Sequence, residues 1–146
     1  MQNPASLFST VSRTDHLGFW ADHALQPRSV AKFLDLQKED LARIAQVARS
    51  SVRFDQKTPK EVMDRIEEIA NVCTLVAGFF DGNAERTALW FRTPNPQFGD
   101  LSPRDMIRFG RYKRLLQFVL AALNANATEG DSVPMKHAPP KTAAAH

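Results

Sequence analysis

The sequence is poor in the residues from which disulfide bonds, membrane spans and metal sites are built. Cys73 is the single cysteine among the 146 residues, so no internal disulfide bond can form. No apolar run approaches the roughly 20 residues that a membrane-spanning helix needs. The first fifteen residues lack the secretory pattern of a basic segment followed by an apolar one. These absences predict a protein of the reducing cytoplasm without a membrane partner.

Catalytic motifs are also missing. The four histidines, His16, His23, His137 and His146, lie near the two ends of the chain, where helical spacing is weak. There is no His-Glu-x-x-His pair, no glycine-rich phosphate loop and no Gly-x-Ser-x-Gly elbow. Cys73 falls on the apolar face of a predicted helix, where an inert buried thiol is the simpler interpretation. We therefore expect no catalytic residue, metal or cofactor, and an enzyme is the weaker hypothesis.

Charge is present but unevenly distributed. The net charge is only +3, yet residues 86–114 carry seven basic side chains against two acidic ones. Residues 60–85 have the opposite balance, with two basic and six acidic side chains. A basic block beside an acidic block indicates a charged partner or self-association, with an ordinary solvated face as an equal alternative.

Hydrophobic spacing predicts an all-α fold with no convincing pair of strands. Residues 1–26 are interpreted as an arm that docks on the body. Helices are expected from Pro27, from Lys38 and, as a short segment, within residues 49–56. Thr58 then suits the cap of a long helix whose first residue is a proline.

That long helix carries an apolar seam at alternating spacings of four and three residues, formed by Val62, Ile66, Ile69, Cys73, Val76 and Phe80. A second apolar set, Val72, Leu75 and Phe79, makes the helix apolar on most sides. Such a helix is either central or presents one face to a second subunit. We predict a homodimer whose interface includes the second set.

The C-terminal part combines a helix over "AERTALWF", a turn over "TPNPQFGD" and a new helix that Ser102 caps and Pro103 begins. Gly110 suits the left-handed position after this helix, and "RYKRLLQFVLAAL" is the last helix. Residues 125–146 are rich in alanine and proline and are expected to be disordered. The prolines would hold several arginines as a rigid surface suited to protein binding, with Trp90 as a core residue behind them.

The stretch "LQKEDLARIAQVARSSVRF" has the spacing of a helix-turn-helix, although any short helix pair can imitate it. Leu41 and Ala42 would lie on the first helix, a tight turn near Gln46, and Val47 and Val52 on a short second helix. Exposed residues of that second segment would face the major groove of DNA. The candidate contacts are Arg49, Ser50, Ser51, Arg53, Gln56 and Lys57.

The stretch "ALWFRTPNPQFGDLSPRDMIRFGRYKRLLQFVLAAL" resembles the toxin-binding domain of the Xre/MbcA/ParS antitoxins. In that domain a Trp-containing helix leads to "TPNP", then to an "SP-x-D" helix, a glycine and a final helix. The part before it resembles their Xre-like helix-turn-helix, so the likeness covers about residues 27 to 123. Two positions depart from that motif, because Gln46 replaces the usual turn glycine and Ala48 the usual Ser or Thr cap.

The resemblance implies a type II antitoxin that is encoded beside a RES-domain toxin, an enzyme that destroys NAD⁺. It divides the chain into the arm, a helix-turn-helix with a central dimerisation helix (27–83), a toxin-binding domain (84–124) and the tail (125–146). The toxin-binding domain would block the entrance to the toxin's active site. Its expected contacts are Arg92, Asn95, Arg104, Arg108, Arg111, Tyr112 and Arg114.

The resemblance also implies repression of the antitoxin's own operon through binding of operator DNA. The departures at Gln46 and Ala48 weaken that expectation and do not touch toxin binding. The competing hypothesis is a stand-alone helix-turn-helix regulator whose C-terminal domain only dimerises.

Overall fold

The computed structural model describes residues 15–55 and 57–129, so Gln56 and both chain ends lie outside it. The described part is mostly helical, as the all-α prediction expected. Its six α-helices are α1 (Pro27–Leu34), α2 (Lys38–Ala45), α3 (Lys60–Phe79), α4 (Ala84–Arg92), α5 (Pro103–Arg108) and α6 (Tyr112–Glu129). None of the helices in these described ranges is long and apolar enough to cross a membrane.

A short antiparallel strand pair precedes the helices, which corrects the expectation of no strands. β1 (Trp20–Ala21) pairs with β2 (Ala24–Leu25). Asp22 and His23 between them have φ angles of 51° and 66°, and two-residue hairpins favour such positive values. The usual sequence signal for this turn is Asn-Gly or Asp-Gly, so the Asp-His pair does not indicate it.

Phe19 attaches this segment to the helices. Its side chain is fully buried, and its ring packs edge-on against Phe33 of α1 with the centroids 5.6 Å apart. The two carboxylate oxygens of Asp15 accept backbone N–H bonds from Phe19 and Trp20, each at 2.9 Å. The described part of the segment therefore belongs to the same core as the helices.

The central element is α3, which packs against α1, α2, α4 and α6. The six seam residues that the sequence predicted are all buried. Val72, Leu75 and Phe79 are also buried, with no more than 5% of any of them exposed. The helix is therefore central, which is the first of the two alternatives. The expected interface residues were wrong, because helices of the same chain already cover them, while the homodimer itself stays a prediction.

The capping signals in the C-terminal part are confirmed. The side chain of Ser102 accepts the N–H of Asp105 at 3.0 Å at the start of α5. Gly110 follows this helix with a φ of 77°, in the left-handed region. The last helix ends later than predicted, at Glu129 instead of Leu123, because the alanines that follow Leu123 favour helix without adding to the apolar stripe. The rest of the predicted disordered tail lies outside the described residues.

The predicted helix-turn-helix has its turn but not its second α-helix. Gln46 adopts a φ of 59°, which is the conformation expected at the turn position. Beyond it, Arg49–Ser51 form a single 3-10 turn, η1, and Val52 is buried. Ala48 precedes this turn and has no side-chain oxygen to accept its N–H groups, so an α-helix start lacks that stabilisation.

Candidate protein-interaction surface

The proline-rich connection between α4 and α5 is a hydrogen-bonded turn. Asn95 precedes a second 3-10 turn, η2 (Pro96–Phe98), and its side chain accepts the N–H of Gln97 at 2.9 Å. The backbone N–H of Asn95 donates to the carbonyl of Leu101 at 3.0 Å. Asn95 is buried, so this expected toxin contact has a structural role instead: it holds the turn.

Arg104, another expected toxin contact, reaches back to the end of α1. Its Nε donates to the carbonyl of Leu34, and its Nη2 donates to the carbonyl of Asp35 at 2.6 Å. The last carbonyls of a helix have no partner within the helix. Arg104 therefore caps α1 from a position 70 residues later in the chain.

Arg108 belongs to an ion-pair network with α2. Its Nε lies 3.4 Å from Oδ1 of Asp40, and its Nη1 lies 3.2 Å from Oδ1 of Asp105. Nη1 of Arg43 lies 3.3 Å from the same Asp40 oxygen. Asp40 is only 3% exposed, and two guanidinium groups balance its charge there. The network fixes α5 against the start of α2.

The pKa of Asp40 reports this environment. Burial by itself would raise the pKa of this carboxyl group. The N–H of Gln37 and the guanidinium groups of Arg43 and Arg108 outweigh burial, and the pKa lies below its ordinary value. The charge of Asp40 in turn raises the pKa of Arg108. Both shifts favour the charged forms, as expected for a formed ion pair.

Two more expected contacts also have partners within the chain. Nη2 of Arg92 donates to the carbonyl of Phe33 at 3.3 Å. Tyr112 is buried, which corrects the expectation that it is exposed, because it lies on the inward face of α6 with Leu115. Burial and the carboxylate of Glu68 raise the pKa of Tyr112 above its ordinary value.

Arg111 and Arg114 are the expected contacts that remain exposed and unpaired. Their side chains, like that of the neighbouring Lys113, make no ion pair or hydrogen bond within the described part of the chain. The first turn of α6 contains no acidic residue to balance them. We call these three residues, Arg111, Lys113 and Arg114, the cationic corner.

Phe109 lies two residues before this corner and was not among the residues predicted from the sequence. The side chain is 48% exposed although it belongs to a large apolar residue. Helical spacing could have indicated that Phe109 is exposed. The inward residues of α5 are Met106 and Ile107, and the helical period places Phe109 outside the apolar face that they form. Trp90, by contrast, is a buried core residue as expected, with its ring edge-on to Phe91 at 5.1 Å.

The residues predicted to contact DNA lie on the surface around η1. Nε of Arg49 is 3.1 Å from Oε2 of Glu39, and Nη2 of Arg53 is 2.5 Å from Oδ2 of Asp55. Ser50 and Lys57 are exposed, Ser51 is half-buried, and Gln56 lies outside the described residues. Both arginines thus have acidic partners, and their contact with DNA stays a prediction.

Among the described residues, no three His, Cys, Asp or Glu side chains are grouped so that they could hold a metal ion. Comparison with known proteins gives no match, since no family model, curated protein or solved structure matches the chain.

Proposed function

We propose that this chain is the antitoxin of a type II toxin–antitoxin system and covers the active-site entrance of a RES-domain toxin that degrades NAD⁺. The proposal starts from the resemblance of residues 88–123 to the toxin-binding domain of the Xre/MbcA/ParS antitoxins. The observation that carries it is the cationic corner, three exposed basic side chains at the start of α6 that have no ion pair or hydrogen bond among the described residues.

The support is rigid, which favours a covering role. A segment that is already ordered before binding loses less conformational entropy when it binds. Asn95 holds the turn before α5, while Arg104 and Arg108 tie α5 to α1 and α2. Five of the seven residues first expected to bind toxin thus have partners or burial within the chain, namely Arg92, Asn95, Arg104, Arg108 and Tyr112. The contacts with the toxin are left to the corner.

The positive charge of the corner indicates which charge the toxin surface would carry. Acidic side chains around the mouth of the toxin's pocket would pair with Arg111 and Arg114, and the covered mouth would no longer admit the dinucleotide. Opposite charges across an interface raise the association rate and select the partner. The operator-binding part of the expectation has less support, because Arg49 and Arg53 are paired and η1 is a single turn.

The identity of the adjacent gene distinguishes this proposal from the hypothesis of a stand-alone regulator. A RES-type gene beside this one favours the antitoxin, and its absence contradicts the proposal. The functional test coexpresses that toxin with variants of this chain from plasmid promoters and measures cellular NAD⁺. The charge-reversal variant R111E/R114E is expected to fail to protect NAD⁺, and its complex is expected to weaken at least about tenfold.

R49E/R53E is the control for net charge, because it makes the same change on another exposed surface. Thermal melting checks that this variant folds without the ion pairs of Arg49 with Glu39 and of Arg53 with Asp55. The control variant should protect NAD⁺ as the parent does. If R111E/R114E is folded and protects equally well, the corner is not the covering surface. If truncation after Glu129 alone abolishes protection, the inhibitory element is the C-terminal tail and the corner is only its support.

A further inference from the structure

Two large apolar side chains are exposed in the described part of the chain, Leu89 at 56% and Phe109 at 48%. They differ in the residues that lie near them in the sequence. Leu89 lies on α4, where Arg92 is tied to a backbone carbonyl of α1. Phe109 lies at the turn from α5 to α6, two residues before the cationic corner, whose side chains have no partner among the described residues.

The backbone around Phe109 is fixed by consecutive hydrogen bonds. The N–H of Phe109 donates to the carbonyl of Asp105 at 3.0 Å, and the N–H of Gly110 donates to Ile107 at 3.0 Å. The N–H of Arg111 then donates to the carbonyl of Met106 at 2.7 Å. This pattern needs the positive φ of Gly110 and leaves the Phe109 side chain at the outer edge of the turn.

The Phe109 ring also has a neighbour that holds it from one side. The guanidinium carbon of Arg108 lies 5.9 Å from the ring centroid, within the range of a cation–π contact. Arg108 itself is held by Asp40 and Asp105. An aromatic ring held in this way loses little freedom when a partner covers it, which is the property of an interface anchor.

We propose that Phe109 is the apolar anchor of the interface with the toxin and that it inserts into an apolar pocket bordered by carboxylates. The inference rests on the proposed function and adds the chemistry of the partner's surface. The carboxylates pair with Arg111, Lys113 and Arg114, while the pocket removes the ring from water. Interfaces commonly combine a buried aromatic side chain with polar and charged residues at the rim.

Nucleic acid fits the same corner less well. Proteins that follow a nucleic-acid backbone neutralise several successive phosphates. The corner has three cations, and the carboxylate of Asp105, bound to Arg108, lies close to Phe109 along the chain. A compact acidic protein surface with one apolar pocket matches this small and mixed patch.

The test measures the dissociation constant between the RES-domain protein encoded beside this gene and three variants of the full chain. Phe109→Ala is expected to weaken binding at least about 30-fold, and Phe109→Leu by less than about fivefold because it keeps an apolar group. Leu89→Ala removes another exposed apolar side chain, on α4, and should change the dissociation constant less than about threefold. Thermal melting of each variant confirms that it is folded.

Each remaining outcome has one meaning. If the parent binds the toxin and Phe109→Ala binds equally well, Phe109 is not the anchor and the proposed function stands. If Phe109→Ala and Leu89→Ala lose equal affinity, a single anchor at this corner is excluded. If the parent does not bind the toxin at all, both the proposed function and this inference fail. If the parent instead binds a 20-nucleotide single strand in a Phe109-dependent way, the corner is a nucleic-acid site and the inference is overturned.

Discussion

Nη1 of Arg43 donates a hydrogen bond of 2.7 Å to the backbone carbonyl of Arg108, across 65 residues of sequence. The contact joins α2 to the end of α5, directly before the exposed ring of Phe109. It stands beside the ion pairs of Asp40 with both arginines. The surface proposed to bind a partner is therefore held in place by helices from the other half of the chain.

Removal of Arg104 should destabilise the fold. Arg104→Ala leaves the carbonyls of Leu34 and Asp35 without their donors, at an expected cost of about 1–2 kcal/mol in the free energy of unfolding. Arg104→Lys should not recover the full loss, because an ammonium group lacks the planar fork that reaches both carbonyls. Arg111→Ala, at an exposed position without a partner in the described part of the chain, should change stability by less than about 0.5 kcal/mol. Urea denaturation checks all three, and equal stability of the two alanine variants contradicts the capping role.

The Asp40 network should make stability depend on pH in the acid range. The pKa of Asp40 is lower in the folded protein than its ordinary value of 3.8, so its stabilisation is fully present above that value. The stabilisation is lost as pH falls through the lower folded pKa. Asp40→Asn should cost about 2 kcal/mol near neutral pH, since it removes the charge that Arg43 and Arg108 face.

The expected signature is the difference in unfolding free energy between the parent and Asp40→Asn as a function of pH. It should be constant above about pH 5 and shrink below pH 3.8. Asp100→Asn, at an exposed carboxylate without an ion pair among the described residues, is the matched control for the loss of one carboxylate. A difference that stays constant to pH 2 would show that the charge of Asp40 does not contribute.

Gly82 should be intolerant of a side chain for two separable reasons. Its φ of 80° is unfavourable for other residues, and a Cβ there would lie 2.5 Å from Nδ1 of His16. Gly99→Ala, at a φ of 67° in open space, carries only the backbone cost of about 1 kcal/mol. Gly82→Ala should cost about 1 kcal/mol more than Gly99→Ala because the His16 ring must move.

A double-mutant cycle isolates the steric part. In a His16→Ala background, Gly82→Ala should cost no more than Gly99→Ala does in the parent. Thermal denaturation of the four chains gives the coupling between Gly82 and His16. Additive effects would mean that the His16 ring does not lie against Gly82 in solution.

Gln46→Gly should stabilise the protein. Gln46 ends α2 at a φ of 59°, a conformation that glycine adopts without the steric cost of a Cβ. The gain should be about 0.5–1 kcal/mol, since the added freedom of the unfolded chain offsets part of it. Ala45→Gly, one residue earlier and still helical, should instead destabilise by up to about 1 kcal/mol. Guanidinium denaturation distinguishes the two signs, and a destabilising Gln46→Gly would contradict the left-handed turn.

Much of the fold could be predicted because its signals are local. The Ser102 cap and the Gly110 stop of α5 act through bonds that span three or four residues. The seam of α3 is visible because its spacing follows the helical period directly. The strand pair was not predicted because its turn needs left-handed conformations at Asp22 and His23, and the Asp-His pair indicates such a turn only weakly.

The candidate site was predicted only in part. The basic segment was visible, and Arg111 and Arg114 are indeed exposed. Periodicity could not show that Arg104 is committed to the end of α1 or that Asn95 is turned inward. It also could not show that the second apolar face of α3 is covered by the same chain. Several short helices together cover that face, and periodicity within one helix does not indicate how many others pack against it.

The sequence by itself determined where most helices begin and end and that the apolar seam of α3 is buried, because caps and apolar spacing act within one or two turns. The tertiary structure alone decided which basic side chains are free to meet a partner. The acceptors of Arg104 and Arg108 lie about 70 residues away in the chain, on the ends of α1 and α2. No local pattern indicates which distant carbonyl or carboxylate a guanidinium group will reach, since that depends on how the helices pack around α3.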